Sequence, residues 1–360
     1  MGMVRGRWIF AAFVGTTMLA GVGPGLAATQ TAVDCGAGGD LQAAINGAKA
    51  GTIISISGTC RGTFTVGKNL VLKGVSAAVL DAQGAGTTLT VVGGKVRVTK
   101  LVVTGGRALA VTPGAEGEEG PGGILNLGAG TLTLVHVSTI SSNVGGTGVT
   151  NGVAASATLT ITDSTVTGNE SYPDAGGIEN DGGSVTLTRS TIAYNSSRNS
   201  SGGGIGNYGG TFRVIDSTIS GNATDESGGG IINYGTATFS GTILAGNTQS
   251  DDDRQDNCAG AGTFMSNGYN IFGTPCGAAA PTDLVGTFAQ PIDAVLKALG
   301  NYGGPTQTMV PRPSSPAVNK IPVGASGGVC PDSGTTDQRG IARPQSGACD
   351  IGSVERKPKD

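Results

Sequence analysis

Charge, histidine and long apolar runs are all scarce in this chain. Asp, Glu, Lys and Arg make up 13% of its 360 residues, the net charge is −3, and no basic block occurs. That argues against nucleic acid as a partner. His136 is the single histidine and no Cys-x-x-Cys is present, so no metal centre is expected. Beyond the N-terminus no segment is long and apolar enough to cross a bilayer. The glycine-rich phrases lack the strand-to-helix setting of a nucleotide loop, and the nonapeptide period of calcium-binding β-rolls is missing too.

What the chain has instead is a repeat between Gly122 and Asn247. A Gly-Gly-Ile-x-Asn phrase opens each copy and ends at Asn126, Asn180, Asn207 and Asn233, with a worn copy ending at Asn151. A Ser-Thr-Ile-x-x-Asn phrase closes each copy at Asn143, Asn169, Asn195, Asn222 and Asn247, with spacings of 26, 26, 27 and 25 residues. A fixed period of this size marks a stacked repeat. Each copy holds three short apolar alternations between Gly, Asn and Ser, which reads as three strands and leaves no room for a helix. The expected fold is all-β: a right-handed parallel β-helix with one three-strand coil per copy. Coils stack at ~4.8 Å, so equivalent residues form columns.

Two inward columns are apolar: Ile140, Val166, Ile192, Ile219 and Leu244, then Leu134, Ile161, Leu187, Val214 and Phe239. The two asparagine columns are read as amide ladders at the turns.

Arg5 and Arg7, the apolar run Trp8 to Val22 and Gly25-Leu26-Ala27 read as a secretory signal over residues 1–27. The mature chain is therefore expected outside the cytoplasm, secreted or on the cell surface. Its six cysteines pair by proximity as Cys35–Cys60, Cys258–Cys276 and Cys330–Cys349, one choice among the 15 that six cysteines allow. Asp40 to Lys49 reads as a short amphipathic helix ended by Gly51 and covering the first coil. Residues 28–250 form the β-helix with this cap. Residues 251–360 form an irregular, disulfide-bonded region that closes its C-terminal end; within it Asp251-Asp252-Asp253 reads as a solvated loop.

The helix followed by Gly-Thr-Ile-Ile-Ser-Ile-Ser-Gly-Thr-Cys, residues 51–60, resembles the opening of pectate-lyase-like β-helix proteins. The Gly-Gly-Ile-x-Asn copies resemble the repeats of polymorphic outer-membrane proteins. The series Gly268–Gly273, Asn301–Thr308, Ser315–Val318, Asp337–Pro344 and Cys349–Glu355 resembles the C-terminal region of choice-of-anchor Q proteins. Met309 and Asn319 stand where that pattern has His and Asp. These resemblances imply a secreted or surface β-helix. Only Arg356 to Asp360 follow the series, so neither an anchor nor a C-terminal β-barrel is expected.

The pectate-lyase-like fold also hosts lyases and glycoside hydrolases. A hydrolase needs two carboxylates across the scissile bond, and a lyase needs acids for Ca²⁺ and a base. The outward column of the opening strand is Leu125, Thr150, Glu179, Gly206 and Ile232, with Glu170, Asp174, Asp181, Arg198, Asp225 and Glu226 in flanking loops. If the chain is an enzyme, Glu179, Asp225 and Glu226 carry the chemistry. Scattered as they are, these acids would hold Ca²⁺ only weakly, and no other cofactor is expected.

Thr131 and Thr133, Thr158 and Thr160, Ser184 and Thr186, Thr211 and Arg213, and Thr236 and Thr238 face outward from the second strand. Two flat hydroxyl rows of this kind resemble the ice-binding face of some solenoids, although threonine suits exposed strands anyway. Tyr208 and Tyr234 stack on a turn, as a carbohydrate platform or as structure. Asp163, Arg189 and Asp216 form a charged column worth under ~1 kcal/mol per pair if exposed. Asp337, Arg339, Arg343, Asp350 and Glu355 read as a buried polar network near Cys330–Cys349, and His136 as a surface residue. The leading expectation is a non-enzymatic protein binding polysaccharide or cell-surface material. Polysaccharide cleavage is the alternative, and ice binding a third reading.

Overall fold

A computed structural model describes residues 29–357, except 77, 109–120, 129, 138, 153, 250–253 and 333. The secretory signal and the Asp251–Asp253 loop lie outside the described residues.

The chain is a parallel β-solenoid with three long sheets of eight, ten and ten strands. One coil shows the plan. Ile178–Asn180 belongs to the first sheet, Ser184–Thr188 to the second and Thr191–Ala193 to the third. Ser196–Ser197 adds a rung to a five-stranded fourth sheet before the next coil begins. The pairing is in register, so Leu134, Ile161, Leu187, Val214 and Phe239 are successive neighbours. Both apolar columns are fully buried in one continuous core. Each such aliphatic side chain contributes roughly 1.5–3 kcal/mol by leaving water.

Both asparagine columns are ladders of amide bonds. Asn126, Asn151, Asn180 and Asn207 each donate Nδ2 to the Oδ1 of the next, ending at Asn233, at 2.8, 2.9, 2.8 and 2.6 Å. Asn143, Asn169, Asn195, Asn222 and Asn247 do the same at 2.8, 2.9, 2.9 and 2.8 Å. A third ladder escaped the sequence reading. The Ser164, Ser190 and Ser217 hydroxyls accept from the backbone N–H of the preceding coil at 3.1, 3.1 and 3.2 Å. Each then donates to the carbonyl two residues back. The signal was present in the serine of each Ser-Thr-Ile phrase.

The solenoid does not stop near residue 250. Cys258–Ala259 pairs with Ile231–Ile232, Thr263–Ser266 with Thr236–Phe239, and Ile271–Phe272 with Ile243–Leu244. Two features hid this coil. An antiparallel pair, Thr248–Gln249 with Arg254–Gln255, interrupts the period. Asn257 then stands level with Gly230, where earlier copies have glycine, and fills the next rung by accepting from Asn247 at 2.9 Å.

The helix spans Leu41–Gly47, shorter than expected, with Asp40 Oδ1 accepting from Ala43 N and Leu41 and Ile45 buried. It ends before Gly51 because Ala48 already adopts an extended backbone. Gln30–Asp34 pairs onto Thr52–Ser57 as the edge of the second sheet. Disulfides join Cys35 to Cys60, Cys258 to Cys276 and Cys330 to Cys349.

The last part of the chain does more than close an end: it runs back along the third sheet as a strap. Gln338 donates to Ser164 O and Thr165 Oγ1, both at 3.0 Å, and accepts from Thr191 Oγ1 at 2.7 Å. Ser353 reaches Thr218 Oγ1 at 3.1 Å, and Gly352 N donates to Gly241 O. Thr165, Thr191, Thr218 and Ile243, the outward residues of four coils, are buried beneath it. Gln338→Ala strands several buried groups, each costing about 1–3 kcal/mol. The expected result is faster proteolytic nicking of the strap, followed by mass spectrometry, with the solenoid resistant; unchanged nicking would show that Gln338 does not hold it.

Candidate functional site

The outward column of the first sheet is covered from Thr150 onward, while Leu125 is half-buried. Thr150 is 6% exposed, Glu179 7% and Ile232 1%. At Gly206 a Cβ would lie 2.8 Å from Ala175 Cβ and 2.8 Å from the Tyr208 ring. The loop through Ala175 and the Tyr208 side chain therefore close over the sheet, and only glycine fits between them. The loop lies outside the repeated phrases, so the period gave no sign of it.

Thr147 Oγ1 donates to Glu179 Oε2 at 2.9 Å. Burial, followed by the charges of Asp174 and Asp181, pushes the Glu179 carboxyl well above its usual range. Burial also raises Asp181, and its hydrogen bond with Glu179 pulls it partway back. Burial therefore biases both carboxyls toward the protonated form, Glu179 more strongly than Asp181. Asp225 and Glu226 are not part of this group. Asp225 Oδ2 accepts from Asn199 N at 3.1 Å, and Glu226 Oε2 from Ser201 Oγ at 3.0 Å. They brace the turn of the preceding coil. The three residues expected to act together are therefore not brought together, and Glu179 instead meets Asp174 and Asp181.

Glycoside hydrolysis needs its two carboxyl groups about 5–5.5 Å apart for a nucleophile, or about 6.5–9.5 Å apart for a water. Two carboxyls hydrogen-bonded to each other are closer than either arrangement. Among the described residues no group of three or more His, Cys, Asp or Glu is arranged to hold a metal ion.

Tyr208 and Tyr234 do stack, with ring centroids 6.2 Å apart and planes 18° from parallel. Burial and the Glu179 charge raise the Tyr208 phenol, opposed by a hydrogen bond with Ser200, so it stays protonated. Tyr234 is 55% exposed and offers an open ring beside the covered one.

The second sheet presents the open face. Thr131, Thr158, Ser184, Thr211 and Thr236 are register partners, as are Thr133, Thr160, Thr186, Arg213 and Thr238. All are exposed or half-buried. Arg213 stands in the second row, Lys95 and Arg97 continue the rows toward the N-terminus, and Met265 lies at the other end. A groove of about 230 Å³ runs among Val71, Lys95, Arg97, Thr131 and Thr133.

The charged column follows a different logic. His136, Asp163, Arg189 and Asp216 occupy a turn position with φ of 50°, 49°, 44° and 46°. Arg189 grips Asp163 through two bonds of 2.8 and 3.0 Å, and His136 Nε2 lies 3.5 Å from Asp163 Oδ2. Asp216 faces the strap instead, where Arg343 lies 3.5 Å away and itself approaches Glu355 at 3.6 Å. Burial pushes Asp216 up to about 7 even though Arg343 and Arg189 pull it down. Asp337 and Arg339 pair at 3.0 Å, and Asp350 accepts from Asn319 N and Arg356 N, both at 2.7 Å. This buried network fastens the strap to the solenoid. Asp216 belongs to it and was missed because it lies far away in sequence.

No protein-family model matches the chain, nor does any curated protein or solved structure. Among the described residues no helix is long and apolar enough to cross a membrane.

Proposed function

We propose that the protein is an exported solenoid that binds glycans or other cell-surface material without cleaving them. The observation that carries this reading is the second-sheet face, an open strip of in-register hydroxyls across five coils. Many weak contacts along such a strip suit a long polymer better than a small molecule. The exposed Tyr234 ring adds a stacking surface on another flank. Export is supported by the three disulfides and by the apolar N-terminal run. The resemblance of the repeats and C-terminal series to surface β-helix proteins is in keeping with it.

Polysaccharide cleavage is the second reading, favoured by one observation: Glu179 is buried and bonded to Thr147, and burial pushes its carboxyl upward, the direction a general acid needs. Against it stand the burial of Glu179 and its direct contact with Asp181. A glycan array and whole-cell binding of the mature protein test the main reading. Retention is expected, weakened by Thr133→Asp with Thr160→Asp and kept in Glu179→Gln. Silence on both the array and cells would remove it.

A further inference from the structure

Most of the second sheet is free of acids; only its edge strand carries one, Asp34. The nine strands of the second sheet from Thr52–Ser57 to Thr263–Ser266 contain no Asp or Glu. The chain as a whole has more acids than bases, 25 against 22. The face carries Lys73, Lys95, Arg97 and Arg213, all exposed. None of the four makes an ion pair among the described residues. Glu170, Asp174, Glu179, Asp181 and Asp225 gather instead on the first sheet, the fourth sheet and their loops.

We propose that the second-sheet face takes an acidic linear polysaccharide, with uronate or sulfate charges along a hydroxyl-rich chain. The proposal rests on the glycan-binding reading and names the ligand class for it. Lys95 and Arg97 line the groove together with Thr131 and Thr133, so cations and hydroxyls are offered side by side. Arg97 is linked to Arg213 through Thr133, Thr160 and Thr186. Those four steps place the cations about 19 Å apart at the ordinary strand spacing. An acidic polymer lying across the coils meets positive charge at both ends and hydroxyls between. Nucleic acid is disfavoured as the occupant because the net charge is −3 and the cations are few and spaced.

The test uses the mature, disulfide-intact protein with a polyuronate, a sulfated polysaccharide, a neutral glucan and duplex DNA, each immobilised. Retention on the uronate polymer, the sulfated polymer or both is expected, and the two arms tell which charge is preferred. Raising salt from about 50 mM to about 0.5 M should weaken it at least about tenfold, because the contacts are exposed. Lys95→Glu with Arg97→Glu should weaken it about tenfold or more, as expected for losing several surface contacts. Arg213→Ala should weaken it less, and Glu179→Gln not at all. Unchanged melting temperatures would show that the surface variants still fold. Equal binding of the neutral glucan, equal binding of DNA, or indifference to charge reversal overturns this inference and leaves glycan binding standing. Retention on no glycan overturns both.

Discussion

Asn195→Leu is expected to destabilise the solenoid by about 4 kcal/mol, measured as a lower urea midpoint. The side chain is buried in the middle of the longer ladder. Its Nδ2 donates to Asn222 Oδ1 at 2.9 Å and to Val166 O at 3.1 Å. Its Oδ1 accepts from both the backbone N and the Nδ2 of Asn169, at 3.2 and 2.9 Å. Leucine has similar volume and adds apolar surface, yet it leaves these groups without partners in a site water cannot reach. Each stranded group costs about 1–3 kcal/mol, and neighbouring rungs lose polarisation as well. Asn126 offers the internal comparison. It is the first rung of the other ladder, and its Oδ1 accepts no hydrogen bond from the protein among the described residues. Asn126→Leu should therefore cost about half as much or less. Equal losses at the two positions would mean that stability depends on asparagine fitting the turn, and not on the ladder.

Acidification is expected to stabilise this protein, against the usual trend. Burial raises Asp216, Glu179, Asp181, Asp350 and Glu355 above their ordinary values. A carboxyl raised in the folded state binds its proton more tightly there than in the unfolded chain. Its contribution is fully present below the unfolded value and is lost as pH rises through the folded one. For Asp216 that window runs from 3.8 to about 7. At about 1.4 kcal/mol per unit the full window corresponds to roughly 4–5 kcal/mol, with the opposing pull of Arg343 and Arg189 already included. Urea midpoints should therefore rise as pH falls from about 8 to about 5, and Asp216→Asn should flatten much of the slope. Stability that instead declines over this range would show Asp216 ionised and paired with Arg343 in the folded protein.

The parts of the fold that were legible in the sequence are the parts that repeat. Ile192 and Leu187 could be placed in the core because every coil puts an apolar residue at the same step. The two asparagine ladders followed from the same register. What stayed hidden departs from that register. The coil at Asn257 replaces a repeated glycine and follows an inserted hairpin. The strap meets Ser164 and Thr165 through Gln338, a contact between residues more than a hundred positions apart that no period encodes. Glu179 was placed correctly on the outward side of its strand, yet a loop and Tyr208 cover it. Strand alternation reports which way a side chain leaves the sheet, and it says nothing about what then packs over it.

The most direct test is to incubate the mature protein with polyuronates, a sulfated polysaccharide and neutral glycans, with Ca²⁺ and with chelator, and to follow binding and products together. Retention on at least one of these polymers is expected, with no new reducing ends and no unsaturated-uronate absorbance. Turnover that disappears in Glu179→Gln would contradict it, because the buried carboxyl pair would then be a working acid.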